Sequence, residues 1–111
     1  MLVVLCLVAC GAQSQVTLLD VSGTGNATET LDSASKDGWD LHWSYDCSST
    51  GGHGVFVADV FKSDKTPDFT APGVDEQGDK DSGVYHVAGA GRFYLEVTTT
   101  CKWTVKVTAT P

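Results

Sequence analysis

The clearest pattern in this chain is a strict alternation of apolar and polar positions in three segments. It runs through residues 39–46, 92–98 and 102–108, and in each segment the odd-numbered residues are apolar. A period of two is typical of a β-strand that buries one face. The three segments therefore predict three strands whose odd-numbered side chains point into a common core.

Further strands follow from weaker patterns. Residues 53–61 are apolar on both faces, which predicts a central strand, and residues 16–21 and 84–88 are shorter candidates. Weak candidates are residues 28–31 and 68–74, whereas residues 32–37 could form at most one helical turn.

Glycine- and serine-rich clusters at residues 22–26, 48–52 and 88–91 separate these segments, and we interpret them as hairpin turns. Residues 75–83 are the longest polar loop. Six to eight short strands without a sustained helical period indicate an all-β fold, a small antiparallel β-sandwich of jelly-roll-like or Greek-key type.

The first residues do not fit this pattern. Residues 2–9 are an unbroken apolar run, too short to span a bilayer but suited to the apolar region of a signal peptide. The sequence Leu-Val-Ala-Cys-Gly at residues 7–11 resembles a bacterial lipobox, which implies cleavage before Cys10 and a diacylglycerol on its thiol.

We therefore expect a signal peptide over residues 1–9, lipidated Cys10 with a short tether over residues 10–15, and one β-sandwich domain over residues 16–111. A plain cleaved signal with an incidental Cys10, and hence a secreted protein, is the alternative. Signal peptides usually open with a basic residue, and none precedes Lys36, so whether Met1 is the natural start stays open.

Two cysteines continue the alternating strands. Cys47 extends the odd-numbered series of residues 39–45, and Cys101 opens that of residues 103–107, so both thiols should face one core. An exported compartment permits a disulfide, worth about 4 kcal/mol for a segment of this length. A two-cysteine metal site is the weaker alternative. With Cys6 removed and Cys10 lipidated, no thiol is left for catalysis.

Charge narrows the range of partners. Seven Lys and Arg against 14 Asp and Glu give a net charge of −7, which argues against nucleic-acid binding and against electrostatic adhesion to anionic lipid. Membrane attachment would therefore be covalent. The chain carries no nucleotide or dinucleotide fingerprint, and we expect no cofactor.

Candidate chemical sites are weak. His42, His53 and His86 lack a Gly-x-Ser-x-Gly or comparable signature, so we expect surface histidines and no enzymatic activity. Four carboxylates within seven residues form a weak calcium candidate, although solvated turn residues are the simpler reading; they are Asp75, Glu76, Asp79 and Asp81.

The tryptophans raise the possibility of sugar binding, because exposed aromatic rings stack on sugars. Trp39, Trp43 and Trp103 share their parity with core residues, so we expect them to be buried. Tyr94 is the clearest strand aromatic on a polar face, but a single tyrosine would be a small platform.

Three segments together resemble a small secreted domain found in actinobacteria, mostly of unknown function. They are residues 38–47, with Trp-x-x-x-Trp-x-Tyr-x-Cys, residues 91–97, and residues 101–105, with Cys-x-Trp-Thr-Val. The resemblance covers residues 20–108, although Asp81 stands where such domains commonly have glycine. It implies an exported β-domain and carries over no catalytic residue.

The pattern as a whole favours a non-enzymatic surface lipoprotein with a binding or envelope role, whose protein or small-molecule partner the sequence does not identify. The alternative is a module that binds a small ligand, a carbohydrate or calcium. A prophage-type membrane interaction protein is a further possibility that the short tether would suit.

Overall fold

The computed structural model describes residues 15–66 and 73–110. Within them the chain forms eight β-strands and one short 3-10 helix, Ser48–Thr50. The strands are β1 (Val16–Thr24), β2 (Ala27–Ser33), β3 (Trp39–Asp46), β4 (Val55–Lys62), β5 (Val74–Gln77), β6 (Lys80–Val87), β7 (Gly91–Thr99) and β8 (Lys102–Ala109).

The strands form two antiparallel four-stranded sheets. The first sheet has the order β1-β8-β3-β6 and the second sheet the order β2-β7-β4-β5. Consecutive strands alternate between the sheets, except for β4 and β5, which gives the strand order of a jelly roll. The predicted small antiparallel β-sandwich of six to eight strands is confirmed.

The interpretation of the turn clusters as hairpins is wrong. Residues 22–26, 48–52 and 88–91 each lie where the chain passes from one sheet to the other. Glycine and serine mark a reversal of chain direction. They do not determine whether the chain returns beside its own strand or crosses to the facing sheet.

The core fills the space between the inner faces of the sheets, as the alternation predicted. From Phe93 onwards the odd-numbered residues of β7 are buried, as are those of β8, and β3 buries Trp39, Leu41 and Tyr45. Trp43, on the same face, is only half-buried. The predicted inward face of the three alternating strands is therefore confirmed.

Strand β4 is central, between β7 and β5, but only one of its faces is buried. Phe56, Ala58 and Val60 lie in the core, whereas Val55 is 44% exposed and Phe61 is half-buried on the outer face. The predicted central strand is therefore confirmed, and its outer face is uncovered because no further layer packs on the second sheet within the described residues.

The acidic segment at residues 75–83 is not a long loop. Residues 75–77 belong to β5 and residues 80–83 to β6, so only Gly78 and Asp79 connect the two strands. Both are edge strands, where charged side chains are common because they hinder pairing with other chains. Of the weak candidate at 68–74, residues 68–72 lie outside the described residues, and Val74 begins β5.

The predicted disulfide between Cys47 and Cys101 is confirmed. The Cα atoms are 4.7 Å apart and both residues are fully buried. Cys47 follows β3 and Cys101 precedes β8, so the bond closes one end of the ladder between these neighbouring strands. Gly54 packs against it, since a Cβ there would lie 2.5 Å from both sulfur atoms.

The expected signal peptide, Cys10 and most of the tether lie outside the described residues. In the part of the chain that the structure describes, no helix is long and apolar enough to cross a bilayer.

Candidate functional site

The histidines do not assemble a catalytic centre in the described residues. His86 Nδ1 lies 2.7 Å from Asp40 Oδ1 on an exposed part of the first sheet, and His42 Nε2 lies 3.0 Å from Thr108 Oγ1. His53 is exposed in the connection before β4. The His86–Asp40 pair resembles part of a Ser-His-Asp arrangement. Within residues 15–66 and 73–110, however, no serine hydroxyl is hydrogen-bonded to a histidine.

The carboxylates of the calcium hypothesis do not converge. Asp75 is paired with Val57 in the ladder between β5 and β4, whereas Glu76, Asp79 and Asp81 lie near the hydroxyl of Tyr45. Burial, and then these three negative charges, raise the pKa of that hydroxyl. Among the described residues, no group of three or more His, Cys, Asp or Glu side chains is arranged to hold a metal ion. The geometry therefore gives this hypothesis no support.

Two of the tryptophans are core residues, as expected. Trp39 is 1% exposed and Trp103 is 4% exposed, and the Nε1 of Trp103 donates a hydrogen bond to the carbonyl of Gly25 at 2.8 Å. Trp43 stacks on Phe56 with ring centroids 5.8 Å apart, and its indole lies over Gly83. Its remaining exposure is at the periphery of the core.

The outer face of the first sheet carries a shallow trough of about 380 Å³. Hydroxyl groups of Ser22, Ser44 and Thr104 line it, with Lys102 and Asp46 directly opposite each other at one side. The trough has polar walls and no outward-facing aromatic ring among its strand residues. It offers hydrogen bonds but no flat apolar surface.

The outer face of the second sheet differs because two aromatic residues occupy opposite positions on neighbouring strands. Tyr94 of β7 lies directly opposite Phe61 of β4 and, on its other side, opposite Thr30 of β2. Both aromatic residues are half-buried. We call the depression around them, with a volume of about 360 Å³, the Tyr94 patch; it is lined by Thr28, Thr30, Phe61, Lys65, Tyr94 and Glu96.

Lys65 reaches the patch from the turn that follows β4. Its ammonium lies 5.4 Å from the centroid of the Tyr94 ring, within the range of a cation–π contact. Lys65 has a φ of 67°, the one positive φ outside glycine in the described residues. The turn is held by backbone hydrogen bonds from Lys65 to Lys62 and from Lys62 to Thr66. Such backbone strain is often found at ligand-binding positions.

The next row of the same sheet face is acidic. Glu96 lies directly opposite Asp59 of β4, and like charges in this position destabilise a sheet. Burial, followed by the charges of Glu96 and Asp75, raises the pKa of the Asp59 carboxyl. On the other side of Tyr94, the guanidinium of Arg92 donates hydrogen bonds of 2.8 and 3.3 Å to the carboxylate of Asp32. Glu96 and Asp59 form no ion pair within the described residues.

Sequence reasoning found one half of this site. The parity of Tyr94 placed it on the polar face, but residues 53–61 are apolar on both faces, so the pattern predicted a central strand without marking Phe61 as an outward-facing residue. A signal was present, since Phe61 is in the odd-numbered series of β4, opposite in parity to the core residues Phe56 and Val60.

Comparisons with family models, with curated proteins and with solved structures found no match to this chain. The resemblance to secreted actinobacterial domains therefore stays an expectation, and the function is argued from the site alone.

Proposed function

We propose that this protein is an exported, non-enzymatic binding domain, attached to the membrane by a lipid on Cys10, that binds its partner through the Tyr94 patch. The observation that carries the binding role is the pair of half-buried aromatic residues, Tyr94 and Phe61, with polar side chains around them on the outer face of the second sheet. Exposed aromatic groups rimmed by polar side chains are typical of binding surfaces.

The fold suits a small domain that works outside the cell. The buried disulfide joins neighbouring strands of a domain with a modest core, and such staples are typical of exported proteins. Among residues 15–66 and 73–110, no further layer packs on the outer face of either sheet.

The position of the patch fits a short anchor. Strand β1 begins at Val16, so only residues 11–15 separate the domain from Cys10, a reach of about 17 Å. Because β2 runs back along β1, Ser33 lies at the same end of the sandwich as Val16, and Ser33 pairs with Gly91. Tyr94 is three residues from Gly91 along β7. The proposed anchor would thus hold the patch near the membrane surface.

The anchor is tested by cell fractionation of the full-length chain and two cysteine variants. We expect the natural chain and Cys6→Ser in the membrane fraction, because Cys6 leaves with the signal peptide. Cys10→Ser removes the only thiol at the proposed lipidation site, so any exported product should appear in the medium. Equal distribution of all three chains would refute the anchor.

A further inference from the structure

We infer that the Tyr94 patch binds a pyranose ring of a neutral glycan, stacked on the rings of Tyr94 and Phe61. This inference rests on the proposed binding role of the patch and names the chemical class of its ligand. It depends on three features of the patch: the aromatic floor, the polar rim and the local charge.

The floor has the shape that a flat ligand requires. Tyr94 and Phe61 occupy directly opposite positions on neighbouring antiparallel strands, so their Cβ atoms stand about 5 Å apart on one sheet face. Two aromatic side chains at these positions give the patch an apolar floor. A pyranose ring carries C–H groups on its faces and hydroxyl groups around its edge, which allows its face to pack on an aromatic platform.

The rim supplies hydrogen-bond partners where the edge of such a ring would lie. Thr30 is directly opposite Tyr94, and Thr28 is directly opposite Glu96, one row further along the strands. Successive rows on one face are about 6.7 Å apart. The hydroxyls of the threonines can donate or accept, and the Glu96 carboxylate accepts, which matches the mixed donors and acceptors of sugar hydroxyls.

The charge of the site favours a neutral ligand over an anionic one. Glu96 and Asp59 face each other in the row beside the platform, and the whole chain has a net charge of −7. These two carboxylates outnumber the one cation that lines the patch, Lys65, so an anionic ligand would meet net repulsion. Hydroxyl groups of a neutral sugar would instead donate to carboxylates that have no ion-pair partner in the described part of the chain.

A cationic ligand fits less well. Lys65 already places an ammonium 5.4 Å from the Tyr94 centroid and would repel a second cation. Aromatic sites for quaternary ammonium groups surround the cation, whereas Tyr94 and Phe61 lie on one face of a single sheet. A bound sugar would displace the Lys65 side chain towards the rim, where its ammonium can donate to a hydroxyl.

The inference is tested by calorimetric titration of the purified full-length protein with neutral hexasaccharides: cellohexaose, maltohexaose, mannohexaose and chitohexaose. For a contact of one or two rings we expect a Kd on the order of 1 mM for at least one of them. Tyr94→Ala should weaken that binding at least tenfold, whereas Tyr94→Phe, which keeps the ring, should retain it. Thr104→Ala, in the trough of the first sheet, should leave it unchanged.

Unchanged melting temperatures would show that loss of binding is not loss of fold. The inference is wrong if none of the four hexasaccharides binds, if Tyr94→Ala binds as well as the natural chain, or if tetramethylammonium or hexagalacturonate binds more tightly. The cell fractionation described above distinguishes failure of glycan binding from failure of the lipid anchor. A lipidated chain that binds no glycan refutes the ligand class, and an unlipidated chain that binds glycan refutes the anchor.

Discussion

Removal of the buried disulfide should cost this domain a large part of its stability. The variant Cys47→Ala/Cys101→Ala deletes both sulfur atoms of the bond, so neither partner is left as an unpaired thiol in the core. The bond links positions 54 residues apart, and the closed segment contains four of the eight strands, β4 to β7. In the unfolded chain, the crosslink therefore restrains about half of the domain.

The magnitude follows from the length of the closed segment. The loss of chain entropy in the unfolded state amounts to about 4 kcal/mol at 25 °C. Typical domains have a net stability of about 5–15 kcal/mol, so the variant should be marginally stable. For a domain of this size, we expect the melting temperature to fall by roughly 15–30 °C.

The assay is urea unfolding of the natural chain and the variant, followed by tryptophan fluorescence. A loss below about 1 kcal/mol would refute the reasoning, because the entropic restraint would then have no measurable effect.

Gly54→Ala provides an internal control on the local packing. In the natural chain its Cβ would lie 2.5 Å from both sulfurs, which should destabilise the domain by about 1–3 kcal/mol. In the double-alanine background the sulfurs are gone, and the same substitution should cost much less. Equal costs in both backgrounds would show that Gly54 is not constrained by the disulfide.

Two further predictions concern single side chains. Trp103→Phe should destabilise the domain by about 1–2 kcal/mol more than Trp39→Phe. The Nε1 of Trp103 donates a hydrogen bond to the Gly25 carbonyl, whereas the buried Nε1 of Trp39 has no partner in the described structure. Equal losses in urea unfolding would contradict this prediction. The pKa of Asp59 is raised in the folded state, so its ionisation opposes folding above that pKa, and Asp59→Asn should stabilise the domain at pH 7 with a gain that disappears below its ordinary value of 3.8. Asp64→Asn is the matched control of opposite sign, since hydrogen bonds from Thr66 lower the pKa of Asp64; it should destabilise at pH 7 and lose its effect in acid, and the same sign for both variants would refute the assignment.

The sequence predicted which face of each strand is buried, but it did not predict which strands lie beside each other. Alternation is a local property, so Leu41, Leu95 and Val105 could be placed in the core without knowledge of the topology. The same local pattern brought Cys47 and Cys101 to one face. Strand order depends on contacts between distant segments, which neither periodicity nor turn composition contains, and the crossings between sheets were therefore misread as hairpins.

The candidate site required the same non-local information. Tyr94 alone was a small platform, and it became a larger one only because β4 lies beside β7 and places Phe61 opposite it. The position of Lys65 over the Tyr94 ring depends on the turn after β4. The positive φ in this turn belongs to Lys65 itself, so no glycine in the sequence marks it. The prediction of a long loop at residues 75–83 failed for a related reason, because polar edge strands resemble loops in composition.

The most direct test of the central claim, a binding domain held at the membrane surface through Cys10, is the intact mass of the protein extracted from membranes of the producing cells. The account predicts a mature chain that begins at Cys10 and carries a diacylglyceryl group on that thiol, with Cys47 and Cys101 still joined. A mature chain from the medium with an unmodified Cys10, or with cleavage beyond it, would contradict the account.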